Sequence, residues 1–169
     1  MFQRYGLQAM TMDDVCRELS MSKKTLYQYF TNKADLVDQA VRQVFCSHEE
    51  TMKSITAENE NAIDRMIKRY TYLMQMIESH GPSMMFPLKK YYPQTFEWLF
   101  AQRRKSMIDA LVQTVKDGQG QRLFRDDLDP NLVAKIHFTT MVGLADAELQ
   151  SESLAERRDL IWTAISLFI

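Results

Sequence analysis

The chain has 169 residues, 46% hydrophobic and 25% charged, with 21 Lys+Arg against 22 Asp+Glu and a formal net charge of −1. These proportions exclude a disordered or mucin-like chain and a strongly basic coat protein, while leaving room for a local basic patch that binds nucleic acid. Five Gly and four Pro leave few breaks, and abundant Met, Leu and Ala with runs of Lys, Arg, Glu and Gln favour helices, so the expected fold is all-α.

The elements from Met1 to Ser47 are short. Thr11 precedes a run from Met12 to Leu19 and can cap it, with Asp14 three residues on as a shortened capping-box acid. Met12, Val15, Cys16 and Leu19 recur at threes and fours, a single apolar stripe. Ser20 interrupts it. Ser22 is a second N-cap, and Met21 stands at hydrophobic-staple spacing from Leu26. Leu26 and Phe30 share a face, leaving Lys23, Lys24, Thr25, Gln28 and Tyr29 for other faces. Thr31-Asn32 breaks this helix, and Asn32 caps a third that carries Leu36, Val37, Ala40, Val41, Val44 and Phe45.

Glu49 to Glu60 is polar and reads as a helix end and linker, although Met52 and Ile55 extend the apolar spacing. Ile63, Met66, Ile67, Tyr70, Leu73, Met74 and Ile77 form an amphipathic helix stopped by Gly81-Pro82. A short aromatic segment, Met84 to Tyr92, contains Pro87 and precedes Pro93. A long helix then carries Phe96, Leu99, Phe100, Arg103, Met107, Ile108, Leu111, Val112 and Val115, closing over Asp117-Gly118-Gln119-Gly120. Leu123 to Asp129 is expected to be loop. Pro130 suits a first helical turn, the next helix reaches about Leu149, and a last one runs from Leu154 to Ile169. There is no repeat and no alternating strand pattern. The expected organisation is a three-helix head over residues 1–47 on a helical body over residues 48–169.

Two short helices joined by a tight turn have the spacing of a helix-turn-helix. Ser22, Lys23, Lys24 and Thr25 gather hydroxyls, ammoniums and backbone N–H groups at the start of the second helix. Tyr27 and Tyr29 bracket Gln28, and Lys33 opens the next helix. As a set these groups suit a clamp on phosphates at both sides of a groove, with Gln28 or Lys24 reaching a base edge. Taken singly, the lysines also suit a solvated face and the tyrosines half-buried packing.

Phe2-x-x-Tyr5-Gly6, Thr11-Met12-Asp13-Asp14-Val15 and the run from Met21-Ser22-Lys23-Lys24-Thr25-Leu26-Tyr27-Gln28-Tyr29-Phe30 to Lys33-Ala34-Asp35-Leu36 resemble the DNA-binding head of the tetracycline-repressor (TetR) family of bacterial transcriptional regulators. The resemblance covers about residues 2 to 46. It implies Thr25, Tyr29 and Lys33 as phosphate contacts, Lys23, Lys24 and Gln28 as groove-facing residues, and Leu26 and Phe30 as core. Ser20 and Lys24 stand where the family often has Gly, and Gln28 where it often has Tyr, so the operator preference is not borrowed from a relative. The family opens with a full helix, whereas Met1 to Tyr5 gives little more than one turn; the first helix is expected to be truncated, and Leu167-Phe168-Ile169 likewise looks cut short.

For such a regulator the expected partners are double-stranded operator DNA, a second copy of the chain, and a small-molecule effector of unknown identity. Leu132, Ile136, Thr140, Gly143 and Ala147 form a line with small residues in it, and Ile161, Ile165 and Phe168 form a matching stripe, together suiting a four-helix homodimer interface. Some of these residues must instead face the body's own core. Tyr70, Met74, Phe86, Tyr91, Phe96, Phe100, Arg103, Met107, His137 and Met141 mix aromatic, sulfur and polar groups as ligand-pocket linings do, although for each one taken singly ordinary core packing is the better reading. Arg103 has three readings: a pair with Glu78, Glu97 or Asp146, a snorkelling side chain, or a contact to an anionic ligand.

Enzyme activity is the rival class. His48, His80 and His137 lie far apart, without metalloprotease, nucleophile-elbow or phosphate-loop contexts, and Cys16 and Cys46 lack zinc-ligand or disulfide-scaffold spacing. Neither catalysis nor a cofactor is expected. The alternative is a regulator-like helical dimer that has lost DNA binding and acts through ligand or protein partners. No apolar run approaches about eighteen residues and no leader-like segment stands at the start, so a cytoplasmic protein without a membrane partner is expected.

Overall fold

Local hydrogen bonds set where the first helices begin. Thr11 Oγ1 accepts the Asp14 backbone N–H at 3.2 Å, while Asp14 Oδ2 accepts the Thr11 N–H at 2.9 Å and its hydroxyl at 2.6 Å. This is a reciprocal capping box, and the Thr11 hydroxyl, followed by its N–H, holds the Asp14 carboxyl below its ordinary pKa. Ser22 Oγ accepts the Thr25 N–H at 3.0 Å, and Asn32 Oδ1 accepts that of Asp35 at 3.0 Å. All three caps stand where the residue types place them.

The computed structural model describes residues 6–57, 61–80, 84–144 and residue 163. The fold is all-α, and the described residues form α1 (Met12–Glu18), α2 (Lys23–Tyr29), α3 (Lys33–Ala57), α4 (Ala62–His80), α5 (Met85–Tyr91), α6 (Pro93–Gly120) and α7 (Pro130–Leu144). The chain divides into two compact units, Met1–Thr51 with Met76–Ala101, and Met52–Gln75 with Gln102–Ile169.

The first unit holds two small cores. Met10, Val15, Cys16, Leu26 and Leu36 are buried together, with Met12, Met21 and Phe30 packed around them. Leu7, Val37, Val41, Leu88 and Leu99 form the other, joined by Phe45, Met85, Tyr92, Phe96 and Trp98. A polar network adjoins the second core. Thr95 Oγ1 donates to Asp38 Oδ1 at 2.8 Å, Arg42 Nε donates to Asp38 Oδ2 at 2.6 Å, and the Arg42 guanidinium lies 4.0 Å from the Trp98 ring centroid. The Arg42 hydrogen bond is the main reason the Asp38 carboxyl titrates below its ordinary range.

In the second unit Ala62, Met66, Tyr70, Val115, Phe124 and Val133 form the buried core. Arg65 Nη2 donates to Asp117 Oδ2 at 2.6 Å, and the Ala62 N–H donates to Gln121 Oε1 at 2.8 Å, tying the start of α4 to the end of α6. Phe124 folds back so closely that a Cβ on Gly118 would collide with its ring. Gly118 therefore serves close packing within the last turn of α6, and the helix runs on to Gly120.

Several expectations are corrected. Leu19 does not continue the α1 stripe; it is the C-cap and is 52% exposed. Val44 is likewise exposed on α3. The helix end expected within Glu49–Glu60 falls at Ala57, so α3 carries the stripe on through Met52 and Ile55 before it stops. The segment at 123–129 is loop as expected, and it contributes Phe124 to the core. The expected helix from Leu154 lies outside the described residues apart from the helical Thr163.

The turn from α1 to α2 carries a backbone cost. Ser20 has φ +52°, in the left-handed region that a β-carbon disfavours. Ser20→Gly removes that cost, about 1–2 kcal/mol, and adds the extra unfolded-state entropy of glycine, about 0.5–1 kcal/mol. The expected outcome is a gain of roughly 0.5–1 kcal/mol in denaturant unfolding; a loss of stability would show that the Ser20 side chain contributes more than its conformation costs.

Candidate nucleic-acid interface

The second helix of the head turns a single residue fully inward. In α2 only Leu26 is buried, at 1% exposure, and Thr25 is half-buried. Lys23, Lys24, Gln28, Tyr27 (51%) and Tyr29 (68%) are exposed. Two large phenols left in solvent beside an amide and an ammonium are unusual for a face with only a packing role. They do suit a surface that meets phosphates and base edges.

The polar groups differ in how free they are. Ser22 Oγ is engaged as the cap and lies 2.8 Å from Thr25 Oγ1, so these two hydroxyls order the start of α2. Lys23 Nζ lies 2.8 Å from Asp13 Oδ2, and this hydrogen bond raises the pKa of the ammonium. Lys33 is half-buried, and its ammonium donates to the backbone carbonyl of Gln8 at 3.1 Å. Burial lowers its pKa. Lys33 thus fastens the turn before α1, a role that no short-range spacing in the sequence announces. The Asp13 partner of Lys23 was also missed. Both contacts join residues ten or more positions apart, and only the folded head creates them.

The dimer and ligand candidates distribute unevenly. On α7, Leu132 and Ile136 are 55% and 54% exposed, whereas Val133, Ala134 and His137 face inward. The Thr140 hydroxyl donates back to the Ile136 carbonyl at 3.1 Å. Gly143 lies in α7, and Ala147, Ile161, Ile165 and Phe168 lie outside the described residues. Tyr70, Met107 and His137 do converge. With Met66, Arg69, Leu73, Leu111 and Thr114 they line a cavity of about 30 Å³ in the second unit. Met66, Leu73 and Leu111 belong to the same 3.6-period stripes, and that spacing pointed to them as core. Phe86, Tyr91, Phe96 and Phe100 belong to the first unit, where Phe96 packs on the core and the other three are exposed. Seven-residue α5 buries only Leu88, so an inward reading of its aromatics fails. Arg103 is half-buried and burial lowers its pKa; the side chains of Met74 and Met141 lie outside the described residues.

His137 packs edge-to-face on Tyr70 with ring centroids 5.1 Å apart. Burial lowers its pKa from 6.5 to about 4, so the folded state holds the neutral imidazole more firmly than the unfolded chain does. The stability this gives is present above pH 6.5 and is lost as pH falls toward 4, amounting to about 3 kcal/mol over that window. Urea unfolding of the wild-type chain and of His137→Phe should diverge in pH dependence between those limits, with the variant flatter. Equal slopes would mean that His137 titrates normally.

Among the described residues no group of three or more His, Cys, Asp or Glu is placed to hold a metal ion, and no helix is long and apolar enough to cross a membrane. Residues 1–40 match the family model for bacterial regulatory proteins of the tetR family. Among curated relatives, the HTH-type transcriptional regulator YvaF of Bacillus subtilis is 28% identical over 147 residues, covering 77% of each chain. The HTH-type transcriptional repressor KstR2 of Mycobacterium tuberculosis is 26% identical over 152 residues, covering 85% of this chain and 74% of its own. In fold, the chain superposes on the reduced form of Escherichia coli NemR with a TM-score of 0.79 at 13% identity, covering 99% of this chain and 91% of that one. A transcriptional regulator from Cytophaga hutchinsonii gives 0.80 at 16% identity, covering 98% and 87%. The matched head, the relatives and the all-α fold agree in one likeness: the chain resembles bacterial transcriptional regulators of the tetR family.

Proposed function

We propose that the chain is a cytoplasmic repressor that binds a palindromic operator as a homodimer and is released by a small apolar effector. The observation that carries the reading is the division of α2, with Leu26 inward and Lys24, Tyr27, Gln28 and Tyr29 outward on a capped helix. Residues 1–47 are the DNA-binding part in this reading and residues 48–169 the effector and dimer part. Thr25 and Tyr29 contact phosphates. Lys24 and Gln28 reach base edges, and Lys33 contributes charge while holding the turn at Gln8. The repressor sign is supported by the relative KstR2, which carries that designation.

Pairing through α7 is supported by Leu132 and Ile136, two large aliphatic side chains more than half exposed on one helical face. One head meets one half-site, so a palindrome requires two. The effector site is placed at the cavity around Tyr70 and His137. At about 30 Å³ it has room for water-sized contents, so a larger effector enters only as Met66 and Met107 change rotamer, which unbranched thioethers do readily. Such an effector weakens DNA binding only by the factor by which it prefers the free dimer over the operator-bound one.

Selection of bound sequences from random duplexes tests the reading. The expected product is an inverted repeat with half-sites about one helical turn apart, or a multiple of it. Gln28→Ala should then relax the preference at one position of each half-site by about 1–3 kcal/mol while leaving other positions unchanged. A library without enrichment at low salt would contradict the proposal. A uniform loss of affinity with Gln28→Ala would move Gln28 from base reading to positioning.

A further inference from the structure

The exposed face of α2 contains one contact that opposes its proposed use. Lys23, its first residue, is bound by the carboxylate of Asp13 in α1 at 2.8 Å, with the two side chains 62% and 55% exposed. A solvated pair of this kind adds little to folding, so the fold does not depend on it. The neighbouring acid differs. Asp14 is taken up by the Thr11 cap and by Arg17 at 3.3 Å. Asp13 stands outside that box, in the first turn of α1, where a carboxylate also favours the helix dipole.

We infer that Asp13 is a positioning residue that tempers DNA affinity, its carboxylate competing with duplex phosphates for the Lys23 ammonium. The inference rests on the reading of α2 as the DNA-contacting helix. In the free head the Asp13 carboxylate offsets the Lys23 charge, so the ammonium's attraction toward a phosphate is reduced. Docking on a duplex exchanges one anionic partner for another and leaves Asp13 uncompensated beside the polyanion. A counterion-release contribution that Lys23 would otherwise make is thereby suppressed. Because that contribution is blind to sequence, its suppression acts on every duplex, and residence on unrelated DNA shortens. Lys24, next in the chain and exposed, is left to make the direct contacts.

Fluorescence anisotropy of the full chain on a mixed-sequence duplex, from about 50 to 200 mM salt, tests this. Asp13→Asn should steepen the salt dependence by about one unit and tighten binding roughly five- to tenfold near 0.1 M, the factor that one added unit of slope generates between 1 M and 0.1 M. In a Lys23→Gln background the same Asp13→Asn change should leave the slope unaltered, because no ammonium is released. Loss of a helix-dipole acid alone would lower the unfolding midpoint and leave both slopes as they were. An unchanged slope in Asp13→Asn, or an equal steepening with Lys23→Gln, overturns the inference. Wild-type chain that binds no duplex at low salt sinks the DNA-binding reading together with it; wild-type binding that ignores Asp13→Asn sinks the inference alone.

Discussion

The head depends on the burial of one side chain. A helix as short as α2 is not stable in isolation, and of its seven residues Lys23–Tyr29 only Leu26 is buried. Full burial of a leucine contributes about 1.5–3 kcal/mol, comparable to what a short capped helix requires. Leu26 shares one buried core with Val15 and Cys16 of α1, Leu36 of α3 and Met10 of the preceding turn. Three segments therefore converge on one point, and the outward face of α2 is left free of packing duties. Exposed tyrosines, an amide and a lysine are tolerated there because Leu26, flanked by Met21 and Phe30 on the same core, anchors the helix from its other side.

Short-range hydrogen bonds then fix the angles that one buried contact cannot. Thr11, Ser22 and Asn32 each satisfy an N–H group at a helix start, and Lys33 clamps the Gln8 carbonyl. The head is held to the rest of its unit by α3, whose Val37 and Val41 share a core with Leu88 and Leu99 while Asp38 gathers Thr95 and Arg42. Apolar burial gives that joint its strength. The Asp38 network adds direction, because hydrogen bonds to a carboxylate tolerate little rotation.

What was legible in the sequence follows the range of the interaction. Caps and staples act over three to five residues, so Thr11, Ser22, Asn32, Met21 and Leu26 are legible from neighbours alone. The head resembles the tetR family because those same residues define the family's pattern. Apolar periodicity located α4, α6 and α7, although it misjudged Leu19 and Val44, where the stripe continues past the point at which a neighbour is present to cover it. The end of α3 at Ala57 falls inside the polar span Glu49–Glu60, where Met52 and Ile55 extend the apolar spacing. The Asp13–Lys23, Lys33–Gln8, Asp38–Thr95 and Gly118–Phe124 contacts were illegible, since each needs the fold before its partners meet. Of the ligand candidates, Tyr70, Met107 and His137 share a cavity wall, whereas the aromatics of α5 do not join it, since a residue type suited to a pocket says nothing about which unit it falls in.

The central claim is that the outward face of α2 reads duplex DNA while Leu26 holds it in place. Backbone amide chemical shifts of the full chain, followed during titration with a selected operator duplex, address that claim most directly. The expected result is perturbation concentrated over Ser22–Tyr29 and the start of α1, with the amides around Leu26 keeping slow hydrogen exchange throughout. Perturbation confined to α7 or to the surroundings of His137, with α2 unaffected, would contradict the account.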